Sequence, residues 1–451
     1  MAKRKTNYVC QNCGTTFSKW SGKCENCGEW NTLVEQIVDL EDSGKNALAQ
    51  GKLSGKKLES VSIDDIIPSD ASARFSTGFK DLDKVLGGGF LCGSVSLLTG
   101  QPGIGKSTLL MQICSKISKE AAVLYISGEE SAGQVKLRAK RLGAGSKDLN
   151  FANSTSGNDI AKTIESGDFK FVVVDSIQTL SLAELTSAPG SVSQVTNCGN
   201  LIIRAAKASD TAVVIVGHVT KDGTLAGPKV LEHLVDVVIN FEGDRYGGFK
   251  TVRAIKNRFG STMEVAIFEM TEDGLSEVKD PSATLLAERQ NTDGSIILAT
   301  LEGNRPLLVE IQALATTTTF GYPKRACSGY DINRLNLLIA VLERRTKLKL
   351  SDKDIYINVV GGIKVQDSAA DLAVCMAIAS AVAKRKLSEK YVVFGEVGLG
   401  GEIRSAFRPD QRISEAKKLG FTHAIGPATV KDPFVYKVKD LRDTLIKYMN
   451  N

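Results

Sequence analysis

From residue 94 to residue 241 the chain repeats one pattern: a short run of Val, Ile and Leu, then a longer stretch with apolar residues at helical spacing. The runs are residues 94–99, 121–127, 171–174, 212–216 and 235–241. Runs that are apolar throughout, rather than at alternate positions, belong to strands covered on both faces, and intervening helices make such a sheet parallel. The pattern predicts an α/β core over 61–276. Two other textures flank it. Residues 1–30 hold four cysteines in two pairs, and 31–60, with Gly44, Gly51 and Gly55 among polar and charged residues, read as a linker. Past Val278-Lys279-Asp280-Pro281 strands and helices mix in a third domain, 277–451, which includes an apolar helix over Asp371–Ala383. At about 150 residues per domain, the 451 residues accommodate this division.

The apolar part of that helix, Leu372 to Ala383, is shorter than the ~20 residues a bilayer requires, and the basic start Lys3-Arg4-Lys5 runs into polar residues. No membrane association and a cytoplasmic location are expected. Five isolated cysteines (Cys92, Cys114, Cys198, Cys327, Cys375) suit a reducing compartment. Net charge is +6. Basic and acidic side chains balance at 10 each in residues 1–75 and at 21 each in 76–275, against 26 basic and 20 acidic in 276–451. The surplus therefore belongs to the last domain, where Arg344, Arg345, Lys347, Lys349 and Lys384-Arg385-Lys386 stand out.

Cys10-x-x-Cys13 and Cys24-x-x-Cys27 offer two pairs of soft ligands on two tight turns, followed by Gly14 and Gly28. Four thiolates at this spacing suit a closed, tetrahedral Zn2+ site of structural type. A redox pair and a metal-free knuckle are the alternatives. Zinc would supply most of the folding free energy of so short a module. Its five basic and two acidic residues give +3, and a Zn2+ with four thiolates adds −2, leaving a weak electrostatic DNA binder. Trp20 and Trp30, the two tryptophans, either stack on a base or partner or cover the small core.

Gly100-Gln101-Pro102-Gly103-Ile104-Gly105-Lys106-Ser107 fits GxxxxGK[ST] between an apolar run and a helical stretch, the context in which this loop binds ATP. Its amides and the following helix N-terminus would face phosphate, Lys106 would neutralise β- and γ-oxygens, and Ser107 would ligate Mg2+. Asp175, at the end of Phe171-Val172-Val173-Val174, is the expected carboxylate partner of Mg2+. Glu129 and Glu130 follow the 123–127 strand and could activate water, with Glu129 preferred. His218 ends another strand on the same edge and could sense the γ-phosphate, passing the signal to 219–228. Lys256 and Arg258, two apart on the extended 251–255 strand and its end, point to one face and suit a γ-phosphate of the same subunit or of a neighbour.

Together these residues resemble the bacterial RadA/Sms family, relatives of the RecA recombinase. The resemblance covers essentially the whole chain: the four-cysteine head, the phosphate loop, Lys256-Asn257-Arg258-Phe259-Gly260, the stretch from His218 to Pro228, and a C-terminal domain similar to that of Lon proteases. It implies a RecA-like core and a hexameric, DNA-stimulated ATPase working beside a RecA-type recombinase. Such an enzyme acts on single-stranded and branched DNA, driving branch migration or unwinding in recombination, repair and transformation. It also implies that Lys256 and Arg258 act across a subunit interface and that Lys221 and Lys229 touch DNA. Arg344 and Arg345 are the expected duplex contacts of the last domain. By similarity to Lon proteases the nucleophile position reads Ala369 and the lysine position Asp410, with Ser368 one residue off, so peptide hydrolysis is not expected. An ATP-dependent protease and an ATP-switched adaptor without motor activity remain the competing classes.

Overall fold

The computed structural model describes residues 4–10, 15–30, 32–39, 62, 74–218, 230–243, 248–318 and 321–449. The described residues form two compact units, one drawn from 1–242, 252–262 and 271–275, the other from 243–251, 263–270 and 276–451. The chain thus passes between units more than once instead of crossing a single boundary at 276. Phe249, Val265 and Ile267 explain this: their side chains are buried in the hydrophobic core of the second unit.

In the first unit the apolar runs are strands. Neighbours across the sheet are, in order, Lys250–Asn257, Val237–Gly243, Val95–Gly100, Ala212–His218, Phe171–Asp175, Val123–Ser127 and Leu149–Asn153. From Val237–Gly243 through Leu149–Asn153 every pairing is parallel. Val172, Val174, Val213 and Ile215 are buried within one cluster, and each such side chain contributes about 1.5–3 kcal/mol relative to exposure. All the parallel strands run the same way, so the turns leaving Gly100, Ser127, Asp175 and His218 emerge on one edge. Leu149–Asn153 escapes a hydropathy reading because an edge strand with sequence LNFAN lacks the apolar run of a central one.

A three-stranded sheet at the N-terminus pairs Arg4–Cys10 with both Thr16–Phe17 and Leu33–Asp39. Part of the segment expected as linker is therefore a strand, in register with Arg4–Cys10 along its whole length. The apolar pairs Leu33-Val34 and Ile37-Val38 account for it, whereas the glycines that suggested a linker all lie beyond residue 39.

The second unit is built on a mixed seven-stranded sheet, ordered Arg325–Ser328, Lys353–Val359, Arg305–Thr317, Ser295–Glu302, Tyr391–Val393, His423–Pro427 and Val435–Val438. The helix Asp371–Ala383 lies in its core, buried from Asp371 to Ala381. A helix apolar on all sides is stable only when neighbours cover all of it. No helix among the described residues is long and apolar enough to cross a membrane.

Candidate nucleotide site and metal centre

The phosphate loop leaves the strand Val95–Gly100 and enters the helix Lys106–Ile117. Gly100 cannot carry a side chain, because a Cβ there would meet Phe241 O at 2.5 Å. Gly105 caps the helix at φ 117°, a left-handed backbone that lets the chain turn into the helix while its first amides stay open. Lys106 is 5% exposed, and its Nζ donates to Gly100 O at 2.7 Å and Gln101 O at 3.1 Å. Burial pushes its ammonium down to about 8, against the opposing pull of Asp175 and Glu129.

Asp175 is the hub of the site. Its Oδ2 accepts from Ser107 Oγ at 2.8 Å and from the Tyr125 hydroxyl at 2.6 Å. Burial and then the Asp175 charge push the Tyr125 phenol well up, so it serves as a donor. Two hard oxygens, one hydroxyl and one carboxylate, thus lie side by side, the donor set that Mg2+ takes together with substrate phosphates.

The two glutamates after Ser127 part company. Glu129 Oε1 accepts from Ser176 Oγ at 2.6 Å and lies 3.5 Å from His218 Nε2. Glu130 pairs with Arg138, and its backbone oxygen accepts from Asn153 Nδ2 at 3.1 Å. His218 sits beside Gly100 in the parallel register, and its Nδ1 is buried without a hydrogen-bond partner. Lys106, Ser107, Asp175, Glu129 and His218 are therefore gathered on one sheet edge. Tyr125 and Ser176 join them. Tyr125 is legible in the sequence only as a polar hydroxyl inside a largely apolar run, and Ser176 only as the neighbour of Asp175.

Lys256 and Arg258 lie elsewhere. Lys256 Nζ donates to the oxygens of Glu232, His233 and Val235 at 3.0, 3.0 and 2.7 Å, at the end of the helix Val230–Leu234. Burial, then the neighbouring Arg258 charge, holds the Lys256 ammonium below its ordinary range. Arg258 Nη1 is 3.3 Å from Asp236 Oδ1, while Asp236 Oδ2 accepts from Val95 N at 3.1 Å. Val95 begins the strand whose far end is Gly100. At about 3.3 Å per residue, roughly 17 Å of strand separates this edge from the phosphate loop. Lys256 and Arg258 thus lie at the edge of the sheet opposite their own phosphate loop. Lys221, Lys229 and the rest of 219–229 lie outside the described residues.

At the N-terminus the thiol of Cys10, which ends the first strand, and those of Cys24 and Cys27, from the turn between strands, lie within 4.8 Å of one another, with Cys10 Sγ 3.6 Å from Cys27 Sγ. Zinc–sulfur bonds of about 2.3 Å in a tetrahedron put sulfurs about 3.8 Å apart, so these thiols fit a zinc shell. Cys13 and Gly14 lie outside the described residues. Gly28 turns at φ 76°, as the tight turn after its cysteine pair requires. Trp20 and Trp30 flank Gly22 and are 59% and 68% exposed, so they do not cover the core. Lys23 Nζ stands 5.7 Å from the Trp30 ring.

In the second unit Ala369 is fully buried, Ser368 Oγ donates to Glu396 Oε2 at 3.0 Å, and Asp410 is exposed in the first turn of the helix Pro409–Lys418. Nearby, Arg412 is 1% exposed and held by Asp367 Oδ2 at 2.6 Å and Ala299 O at 2.7 Å. Arg344 is exposed, and Arg345 Nε donates to Leu399 O at 3.2 Å.

Three family models match the chain. Residues 8–35 match a rubredoxin metal binding domain, 67–224 an AAA domain, and 318–430 subunit ChlI of Mg-chelatase. Over 434 residues the chain is 47% identical to DNA repair protein RadA of Bacillus subtilis, covering 96% of this chain and 94% of that protein. It is 45% identical to DNA repair protein RadA of Haemophilus influenzae over 453 residues, 99% of each chain. For DNA repair protein RadA of Aquifex aeolicus the identity is 44% over 431 residues, 96% of this chain and 95% of that one. With its zinc ribbon, its RecA-like ATP-binding core and its Lon-like C-terminal domain, the chain belongs to the RadA family of DNA repair proteins.

Proposed function

We propose that this chain is a DNA-dependent ATPase that acts on recombination intermediates, moving branches or unwinding duplex as a homo-hexamer beside a RecA-type recombinase. The observation that carries the reading is the convergence of Lys106, Ser107 and Asp175 with the Glu129–Ser176–His218 chain on one sheet edge. In this account the loop 100–107 wraps the phosphates of ATP, and Lys106 neutralises its β- and γ-oxygens. Ser107 and Asp175 would hold Mg2+, which would supply charge neutralisation for the phosphates. Glu129 orients the attacking water. His218, one contact from Glu129, senses the γ-phosphate and relays its loss into 219–229, where Lys221 and Lys229 hold single-stranded DNA.

Arg258 and Lys256 complete the site of the next subunit. Their position about a strand's length from their own phosphate loop suits that role, since a group at one edge of the sheet reaches a neighbour's ATP when subunits repeat head to tail. The C-terminal unit carries the charge surplus and is a DNA scaffold contacting duplex through Arg344 and Arg345. It is not a protease: a buried Ala369 has no nucleophile, and Asp410 is no amine base. The zinc module, nearly neutral once metal is counted, offers Trp20 and Trp30 to a protein partner or a base.

A forked duplex with ATP and Mg2+ tests the motor. Strand displacement that disappears in Lys106→Ala is expected; DNA binding and ATP turnover without displacement would favour the adaptor.

A further inference from the structure

Away from the nucleotide site, the second unit holds a cavity of about 550 Å3 between its sheet and the helix Leu441–Met449. Its aromatic walls are Tyr391, Tyr436 and Tyr448, the rest of its apolar lining is aliphatic, Met376, Leu387 and Ile425 among it, and its polar groups come from Lys386, Ser388 and Lys447. Tyr391 meets Tyr436 and Tyr448 edge to face, with centroids 5.8 and 6.2 Å apart and planes at 86° and 79°. His423, which does not line the cavity, stacks on Tyr436 at 4.4 Å and 14° and so fixes the plane of that ring. Lys447 Nζ stands 5.7 Å from the Tyr436 centroid and 5.3 Å from that of Tyr448.

Tyr448 lines the cavity, while its hydroxyl is buried and offers no surface to it. Burial, then Tyr391 and Tyr436, pushes this phenol up to about 12, so near neutrality the aromatic lining is uncharged. Flat aromatic walls select a flat π-system, and ammonium groups beside the rings ask for an anion a few ångströms away. A nucleotide has both features, and the cavity lies within the range of about 300–1,000 Å3 usual for such ligands.

The rim indicates how that nucleotide arrives. Lys386 is the third of the consecutive exposed residues Lys384-Arg385-Lys386, which follow directly on the buried helix Asp371–Ala383. Lys384 ends that helix at φ 55° and turns the basic segment away from the core. One phosphate does not use so long a cationic rim; a phosphodiester strand does. We propose that the cavity takes one unstacked nucleotide of a single-stranded DNA segment, its base among Tyr391, Tyr436 and Tyr448 and its flanking phosphates on Lys386 and Lys447. This deepens the DNA-dependent reading above and rests on it.

The test uses full-length protein with excess ADP filling the phosphate loop. A single-stranded oligonucleotide carrying one 2-aminopurine is titrated by fluorescence, and 2-aminopurine deoxynucleoside monophosphate is titrated separately. Tyr436→Leu is expected to weaken oligonucleotide binding at least about fivefold, as loss of base stacking requires, and Tyr436→Phe to retain it. Lys447→Gln is expected to lower the slope of log affinity on log salt by about 0.7, the loss of one phosphate contact. ATP turnover without DNA stays unchanged in all three. Lys447 is exposed on the last helix, so its variant decides the matter even where Tyr436→Leu does not fold. If wild-type protein binds no oligonucleotide, the DNA reading and the cavity fall together. If it binds and the variants bind equally well, the cavity assignment alone is overturned. Loss of monophosphate binding in the variants with oligonucleotide binding intact would show a free-nucleotide site and overturn the strand.

Discussion

Lys106 occupies a place where an ammonium group is stable only because other groups answer it. Buried and held by two loop oxygens, it titrates near 8. A phosphate beside it favours the charged form, so the bound state keeps Lys106 protonated at higher pH than the free state. Below about pH 8 both states carry the proton and affinity is flat. Above it the free protein has lost the proton and binding must take it up, so affinity falls by up to about tenfold per pH unit. Calorimetry with a non-hydrolysable ATP analogue should show weaker binding at about pH 9 than at about pH 7, with proton uptake only at the higher value; equal affinity would contradict the burial argument. Glu129 and Glu130 make a second contrast. Glu129→Gln should bind nucleotide and lose turnover by about 100-fold or more, the usual scale of a lost general base. Glu130→Gln should retain turnover and lose only its ion pair with Arg138, as steady-state ATPase rates would show. In the sequence the two are adjacent and alike. What separates them is the capped turn after Ser127, whose hydroxyl accepts from the amides of both and which directs one carboxylate to Ser176 and the other to Arg138.

Elements explain why the sequence was readable where it was. Central strands such as Val123–Ser127 and Phe171–Asp175 are buried at every residue, so burial alone writes them as apolar runs, and the phosphate loop between a run and a helix follows from backbone chemistry. Edge elements are less legible. Leu149–Asn153 and Leu33–Asp39 owe their strand form to a neighbour's backbone, which composition does not record. Helix Val192–Ala208 adds to the second case, since Ser193 Oγ and Asn197 Nδ2 both donate to Glu35 O, at 2.8 and 3.1 Å. Lys256 and Arg258 show the same limit. Spacing placed them on one face, but only sheet order reveals that the face is at the opposite edge from Lys106. A trans role follows as an expectation: Lys106→Ala and Arg258→Ala should each lack ATPase activity, and a mixture should recover part of it. No recovery at any ratio would remove Arg258 from the neighbouring site.

At the scale of the molecule, the even balance of charge through residue 275 and the surplus beyond it divide the labour. Under the proposed function, a charge-balanced core grips DNA through a few placed lysines under nucleotide control, and a positive C-terminal unit binds DNA diffusely and with strong salt dependence. Texture and cysteine spacing divide the sequence into ribbon, core and C-terminal part, while the described residues form two compact units with the ribbon in the first; the repeated passage of the chain between those units was not legible, because short strands there belong to whichever core buries Phe249 and Val265. The claim that joins these parts is that DNA drives the ATPase. Its most direct test is the steady-state ATP turnover of the full-length protein without DNA and with single-stranded, duplex and branched DNA. The account predicts a rate raised at least about tenfold by single-stranded or branched DNA, through a drop of about 1.4 kcal/mol or more in the barrier, and abolished by Lys106→Ala. A rate indifferent to every form of DNA would contradict it.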